Sequence, residues 1–369
     1  MLAFKAPPKA KTSSLFSRAF IPTEVGFYSF LIRLTGLHWG MTAMRLEHPL
    51  TSSHSLSLRA PTFANPTCAD DFPDPFILRA ANAYYAYATN VNGVDLPVRR
   101  STDLVRWEDL GDGMGPLPKW AKRGHTWAPD IMAVDGGFVL YYTARHKKSR
   151  QQVIGAAFST SPEGPFLDVS KQPLIAQRHL GGAIDAHAFI DVDGKRYLYW
   201  KNDGNSRRES THLWVQQLSE DGLTLLGEAR RLLKNDRPWE KHLIEAPFVH
   251  VHEGRYYLFY SAAHYGDASY AVGYAVGSSP MGPFEKVGGP FLRTDGDVAG
   301  PGGQGVITDA GGQTWMYYHA WSRERVGYRR GGARSLRLDP LWWEQGRPVM
   351  LGASTALQAA PATLALAAD

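Results

Sequence analysis

Apolar residues along this chain come in short runs, alternating with polar ones or unbroken for a few positions, and each run is bounded by Gly, Pro, Asn or Asp. That rhythm predicts strands joined by tight turns, and no sustained helical stripe competes with it. One run sets the pattern for the rest. From Ile184 to Trp200 it reads as a leading acid, Asp185, a short apolar strand, a turn at Asp193-Gly194 and an aromatic strand. Glu245 to Tyr260 repeats it with Glu in the lead, and Asp74-Pro-Phe-Ile-Leu78 followed by Tyr84-Tyr-Ala-Tyr87 repeats it with Asp. Two further copies lead with other residues: Trp127 ahead of Phe138-Val-Leu-Tyr-Tyr142, and Gly303 ahead of Trp315-Met-Tyr-Tyr318.

Aligned on their aromatic strands, the copies end at Thr89, Thr143, Lys201, Ser261 and His319, in steps of 54, 58, 60 and 58 residues. A fixed period of this length, holding about four short strands, is that of a propeller blade. The expected fold is therefore an all-β, five-bladed β-propeller over residues 61–352. Counted from the strand ends, Asp74, Asp185 and Glu245 share one repeat position, so they should converge at the mouth of one channel and put the active site at the central axis. Asn82, Asp135-Gly136, Glu253-Gly254 and Gly311-Gly312 supply the other hairpin turns. Arg100 to Glu108 and Ser219 to Arg237 alternate apolar with polar residues, as exposed outer strands do. Ser161-Pro-Glu-Gly-Pro-Phe166 returns as Ser279-Pro-Met-Gly-Pro-Phe284, the same turn two blades later.

Composition alters this picture little. Of 369 residues, 44% are hydrophobic and 12% aromatic, enough for a large core, and the 37 Gly and 24 Pro suit strands and turns. The net charge of +5 would admit an anionic partner, but Lys and Arg are scattered rather than gathered in one block, which argues against nucleic acid. The single cysteine, Cys68, excludes an internal disulfide and reads as a small buried hydrophobe.

The two ends stand apart. Residues 1–60 open basic and acid-free, then turn apolar from Val25 to Met41 with breaks at Arg33 and His38. This resembles a targeting segment only loosely, is too short and interrupted for a membrane span, and fits a true start at Met41 or Met44 equally well. As a targeting signal it would imply a secreted or periplasmic protein, and otherwise a cytoplasmic one. The Ala-rich tail, 353–369, is expected to be disordered or a short helix. Gly300-Pro-Gly-Gly-Gln-Gly305 lacks the Lys-Ser or Lys-Thr of a phosphate loop and reads as tight turns opening the fifth blade. Nothing in the pattern specifies an oligomeric state.

Three acids at a channel mouth could hold a hard cation, form a solvated rim, or do acid/base chemistry. Apolar neighbours argue against the rim: Phe72, Pro75, Phe76 and Ile77 surround Asp74, and Ile244, Pro247 and Phe248 surround Glu245. Such a setting disfavours a charged carboxyl. One acid kept protonated beside another kept ionised is what glycoside hydrolysis requires.

Taken in order, Phe72-Pro-Asp-Pro-Phe76, Trp127-Ala-Pro-Asp130, Ile184-Asp185 with Asp193-Gly194, Ile244-Glu-Ala-Pro247 and Tyr317-Tyr-His-Ala320 resemble glycoside hydrolase family 43, the five-bladed arabinanases, arabinofuranosidases and xylosidases. The resemblance covers about residues 64–352. It implies inverting hydrolysis of arabinofuranosyl linkages in a plant cell-wall polysaccharide or oligosaccharide, with Asp74 as general base, Glu245 as general acid and Asp185 as the residue that orients the acid. Trp127 becomes a candidate sugar platform, and His187, Phe76 and Arg334 candidate substrate contacts. His319 matches the family's channel histidine, near which a calcium is often bound. Such an ion would be structural, because no HExxH-type spacing is present and two carboxylates suffice for water attack. The Trp127 element and the closing Arg334 to Trp343 segment lean towards arabinan-active members. A β-xylosidase and a non-catalytic carbohydrate-binding propeller remain as alternatives, the latter disfavoured by three axial carboxylates it would not need. A retaining fructan-active propeller enzyme would carry Asn-Asp-Pro and Arg-Asp-Pro elements, which this chain lacks.

Overall fold

The structure, a computed structural model, describes residues 61–365; the expectations for residues 1–60 and for the last residues of the tail lie outside the described part. Five antiparallel sheets follow one another along the chain. Blade one comprises Phe76–Ala80, Ala83–Tyr87, Pro97–Ser101 and Glu108–Asp112, and blade two Ala121–Val134, Gly137–His146 and Gln152–Ser159. Blade three is built from Ala183–Ile190, Arg196–Asn202, His212–Leu218 and Leu225–Lys234. Blade four has Ile244–His252, Arg255–Ala262, Ala271–Gly277 and Phe284–Leu292, and blade five Val298–Thr308, Thr314–Ser322 and Ser335–Pro340. In each blade the strand carrying the leading residue pairs only with the aromatic strand, as the innermost strand of a propeller must. Among the described residues no helix is long and apolar enough to cross a membrane.

The aromatic strands are buried because both of their faces meet neighbouring blades. Five hydrophobic clusters result, one at each blade interface: Tyr87 and Leu140 between blades one and two, Tyr141 and Leu198 between two and three, Tyr199 and Leu258 between three and four, Phe259 and Met316 between four and five, and Tyr84 and Leu338 between five and one. Tyrosine hydroxyls tie blades one, two and three to an outer turn of the next. Tyr87 donates to the Pro162 carbonyl at 2.6 Å, Tyr141 to Gly222 at 2.6 Å and Tyr199 to Pro280 at 2.7 Å. Two of these acceptors lie in the repeated Ser-Pro-x-Gly-Pro-Phe turn, which explains its recurrence.

The N-terminal stretch completes blade five. Cys68 bridges Leu336 in antiparallel fashion, Phe72 N–H donates to the Arg334 carbonyl, and the Asn65 side chain bonds both the N–H and the carbonyl of Leu338 at 2.9 Å. A strand edge is thereby covered and the first and last blades are locked together. Cys68 is buried in the cluster between them, and burial pushes its thiol up.

Three expectations need correction. The tail forms no helix over its described part: Gln358–Ala359 pairs with Thr62–Phe63, and Leu364 is buried with its N–H on the Thr102 carbonyl. Gly300 to Gly305 is not a set of turns but the buried middle of the innermost strand Val298–Thr308. Arg100 to Glu108 is not one strand, because Ser101 and Asp103 accept the N–H groups of Asp103, Leu104, Val105 and Arg106 and fold the segment back on itself.

Candidate active site

The same kink marks every blade: a bulge in the innermost strands of blades two to five, and in blade one the residues just before Phe76–Ala80. Asp74, Ala128, Asp185, Ala246 and Gly303 all adopt left-handed backbone, with φ of 52°, 43°, 57°, 49° and 58°. An L-residue in this region costs of order 1–3 kcal/mol and persists only where surrounding contacts impose it. Here those contacts come from the strand-end residues used above to align the repeat. Ala128 N–H donates to Thr89 Oγ1 at 2.9 Å, Asp185 N–H to Thr143 Oγ1 at 3.2 Å, Gly303 N–H to Ser261 Oγ at 2.9 Å, and Asp74 N–H to His319 Nδ1 at 2.9 Å, closing the ring. At the remaining junction Lys201 reaches past the backbone to Glu245 Oε2 at 2.9 Å, and Ala246 N–H donates to Asp185 Oδ2 at 3.0 Å.

This geometry corrects the alignment of the acids. Asp74 and Asp185 are bulge residues, whereas Glu245 precedes its bulge and pairs with Ser261 as Trp127 pairs with Thr143. Glu245 and Trp127 are therefore equivalent, and the two Asp residues share a different position. Counting back from strand ends missed this because the hairpins of blades three and five, Ile190 to Arg196 and Thr308 to Thr314, hold one net residue more than the others.

The three carboxyls receive unequal treatment. Burial pushes the Asp74 carboxyl up, but the Arg334 guanidinium, 3.1 Å from Oδ1, and the Thr89 hydroxyl, 2.6 Å from Oδ2, outweigh it and hold the group below the usual carboxylate range. His319 adds no charge there: its own burial holds it down at about 3, so it is neutral. Asp185 has no such cation in contact. Burial, then the charge of Glu245, pushes it up to about 8 despite Lys201 nearby. Glu245 is gripped on both oxygens, by Lys201 and by the Tyr270 hydroxyl at 2.8 Å. The Lys201 ammonium is fully buried, and although burial opposes its charge, Glu245 and Asp185 keep its pKa above the ordinary value.

The remaining predicted residues divide. Trp127 stands half-buried on the ring opposite Thr143, at the level of Glu245. Arg334 is held between the Tyr265 and Tyr328 rings, 4.8 and 5.7 Å from their centroids, with its guanidinium on Asp74. Phe76 and His187 line a cavity of about 40 Å³ together with Asp74 and Asp185. His187 is stacked on Phe248 at 4.3 Å and bonded through Nδ1 to the buried Asp130 carboxylate at 2.8 Å. His319 does not fit as a direct calcium ligand: Nδ1 accepts the Asp74 N–H, so the neutral ring carries its proton on Nε2, which leaves no lone pair for a cation. Among the described residues no three His, Cys, Asp or Glu side chains are grouped to hold a metal.

Lys201 and Tyr270 escaped the sequence reading. A signal for Lys201 was present, since the strand-end position is polar in all five blades amid aromatic neighbours. Tyr270 carried none, because it reaches Glu245 only through the curl of the loop before Ala271–Gly277.

The chain was compared with known proteins. The sequence profile of the glycosyl hydrolases family 43 matches residues 63–348. A β-D-galactofuranosidase of Aspergillus niger is 27% identical over 326 residues, 82% of this chain and 90% of its own. The extracellular exo-α-(1→5)-L-arabinofuranosidase ArbA of Cellvibrio japonicus is 27% identical over 306 residues, 74% of this chain and 83% of its own. Among solved structures, a thermostable family-43 glycoside hydrolase superposes with a TM-score of 0.75 at 31% identity, covering 82% of this chain and 100% of its own. With the profile matched across the whole propeller, and with two Asp and one Glu brought together on its axis, the chain belongs to glycosyl hydrolases family 43.

Proposed function

We propose that this protein is an inverting glycosidase acting on arabinofuranosyl linkages of plant cell-wall polysaccharides or their oligosaccharides. The observation that carries the proposal is the split between the carboxyls: Asp74 is held ionised by Arg334, while Asp185 keeps a proton beside Glu245. Asp74 takes a proton from water as the water attacks the anomeric carbon, the proton held on Asp185 passes to its neighbour Glu245, and Glu245 gives it to the departing sugar oxygen. Lys201 and Tyr270 stabilise the Glu245 carboxylate left behind. Asp185 positions the acid by holding the backbone N–H of Ala246, the residue after it. Trp127 offers an aromatic face at the same level for a sugar ring. The furanose preference is supported by two relatives named as furanosidases, one for galactose and one for arabinose. The chemical step requires no metal.

The test is proton NMR of the first-formed sugar from linear arabinan, branched arabinan and aryl pentosides, with a chelator present throughout. Inverted arabinose is expected. A retained anomer would make Asp74 a nucleophile, xylose as the released sugar would replace the substrate, and loss of all turnover in chelator would overturn the metal-free step. Glu245→Gln should lower cleavage of natural arabinosides about 10²- to 10⁴-fold and spare activated aryl leaving groups; equal loss on both would remove the acid role.

A further inference from the structure

Nine of the cations scattered along the sequence gather on the loops of blades two and three at the channel mouth. In blade two, Lys122 and Arg145 pair across the sheet two residues beyond Thr143, which places them roughly 7 Å above the catalytic ring at the usual strand rise. Lys147, Lys148 and Arg150 form the turn that continues this strand. Lys147 N–H donates to the Trp120 carbonyl, and Arg145 Nε to the Arg150 carbonyl at 3.2 Å. Arg178 belongs to the loop entering the Asp185 strand, and Gln151 Nε2 and Arg207 donate to its carbonyl at 2.9 and 3.2 Å, which joins blade two to the Lys201 loop of blade three. Arg208 follows. The proximity is also felt by the histidines among them. After burial, Lys122 and Arg145 hold His125 down, and Arg178 and Lys148 hold His146 down.

With Arg123, these nine Lys and Arg residues are answered by two carboxylates: Arg123 meets Asp95 at 2.9 Å and Arg207 meets Glu209 at 3.5 Å. Lys122, Arg145, Lys147, Lys148, Arg150, Arg178 and Arg208 make no ion pair among the described residues. All but the half-buried Arg145 are exposed. The matching acids lie elsewhere. Asp135, Asp191, Asp193 and Glu253 occupy the hairpin turns at the far end of the same strands. On blades two and three the cations thus lie at the mouth end of the strands and these hairpin acids at the opposite end.

We infer that the preferred substrate is an acidic polysaccharide, in which uronic acid carboxylates flank the cleaved pentosyl unit and lie over blades two and three. The inference rests on the glycosidase reading and specifies its substrate class. A neutral pentosan would have no use for seven unpaired cations beside Trp127 and Asp185. The geometry also favours a chain entering the cleft over a nucleic acid duplex, because the patch is a strip of loops leading into the sugar site and not a separate face. Cations along such a cleft raise the local concentration of an anionic chain and speed its capture, an effect that salt screens.

The test compares arabinan still attached to its galacturonate-containing backbone with the same material after carboxyl reduction, by kcat/KM and by affinity electrophoresis. The acidic form should be preferred about tenfold at low ionic strength, the preference should collapse towards unity in about 0.5 M NaCl, and Lys148→Gln with Arg178→Gln and Arg208→Gln should collapse it at low salt. Equal values for both forms, a salt-insensitive preference, or a preference surviving in the triple variant would overturn the inference. Binding of duplex DNA as tight as that of the acidic polymer would do so as well. Cleavage of aryl arabinosides by the parent protein is the independent reading. If it fails while salt-sensitive retention of the acidic polymer remains, the hydrolase assignment falls and the surface assignment stands.

Discussion

Three titratable side chains within one ring show how burial and one neighbour decide a carboxyl's task. Asp74 and Asp185 occupy equivalent bulges, and they differ because Arg334 contacts the first while Glu245 adds a negative charge beside the second. For Asp185 the consequence extends to stability. An Asp in the unfolded chain releases its proton near 3.8, whereas the folded protein keeps it to about 8, so between these values the folded state binds more protons. Its contribution is most favourable below about pH 4 and is lost as pH rises through about 8. Asp185→Asn cannot ionise. Its melting temperature relative to the parent should therefore rise by a few degrees more at pH 8.5 than at pH 5, while turnover is largely lost. A pH-independent difference in melting temperature would mean that Asp185 is ionised in the folded protein.

At the scale of the element, the innermost strand of blade five does what no other strand of the ring could. A Cβ on Gly302 would fall 2.0 Å from the Tyr270 ring, and one on Gly303 would fall 2.6 Å from His319 Nδ1, so glycine lets this backbone approach both residues. Tyr270 is pinned by that approach and points its hydroxyl at Glu245. Gly302→Ala should accordingly destabilise the protein by about 1–3 kcal/mol through overpacking and, by moving Tyr270, lower kcat more than it changes KM. Parent-like kcat at a temperature where the variant is folded would separate Tyr270 from the chemistry. The run of glycines was legible from sequence, but its reason was not, because the residues it accommodates lie far along the chain.

At the scale of the molecule, the ring is closed by side chains as much as by sheet. Asn65 is buried and satisfies both backbone groups of Leu338 from the other end of the chain. Asn65→Ala leaves those groups unpaired, at a cost of about 1–3 kcal/mol, and should lower the melting temperature without altering kcat in the cold. An unchanged melting temperature would show that the N-terminal strand does not secure blade five. The same closure explains why the tail is extended: its Ala-rich composition favours a helix, but pairing with Thr62–Phe63 and burial of Leu364 override that local preference.

The repeat, the number of blades and the identity of the three axial acids were all determined by the sequence alone, because a propeller writes one strand pattern at a steady interval and each acid interrupts that pattern at nearly the same point. Local spacing sufficed for these. What the tertiary structure decided depends on residues that only rotation about the axis brings together. It separated Glu245 from the two Asp residues by one position, because register is set by pairing and the hairpins differ in length from blade to blade. It placed Arg334 on Asp74 across 260 residues and Lys201 on Glu245 across 44, and the first of these contacts keeps Asp74 charged. It also turned cations spread over residues 122–208 into one surface, since the loops that carry them leave the strands at the same end of the propeller.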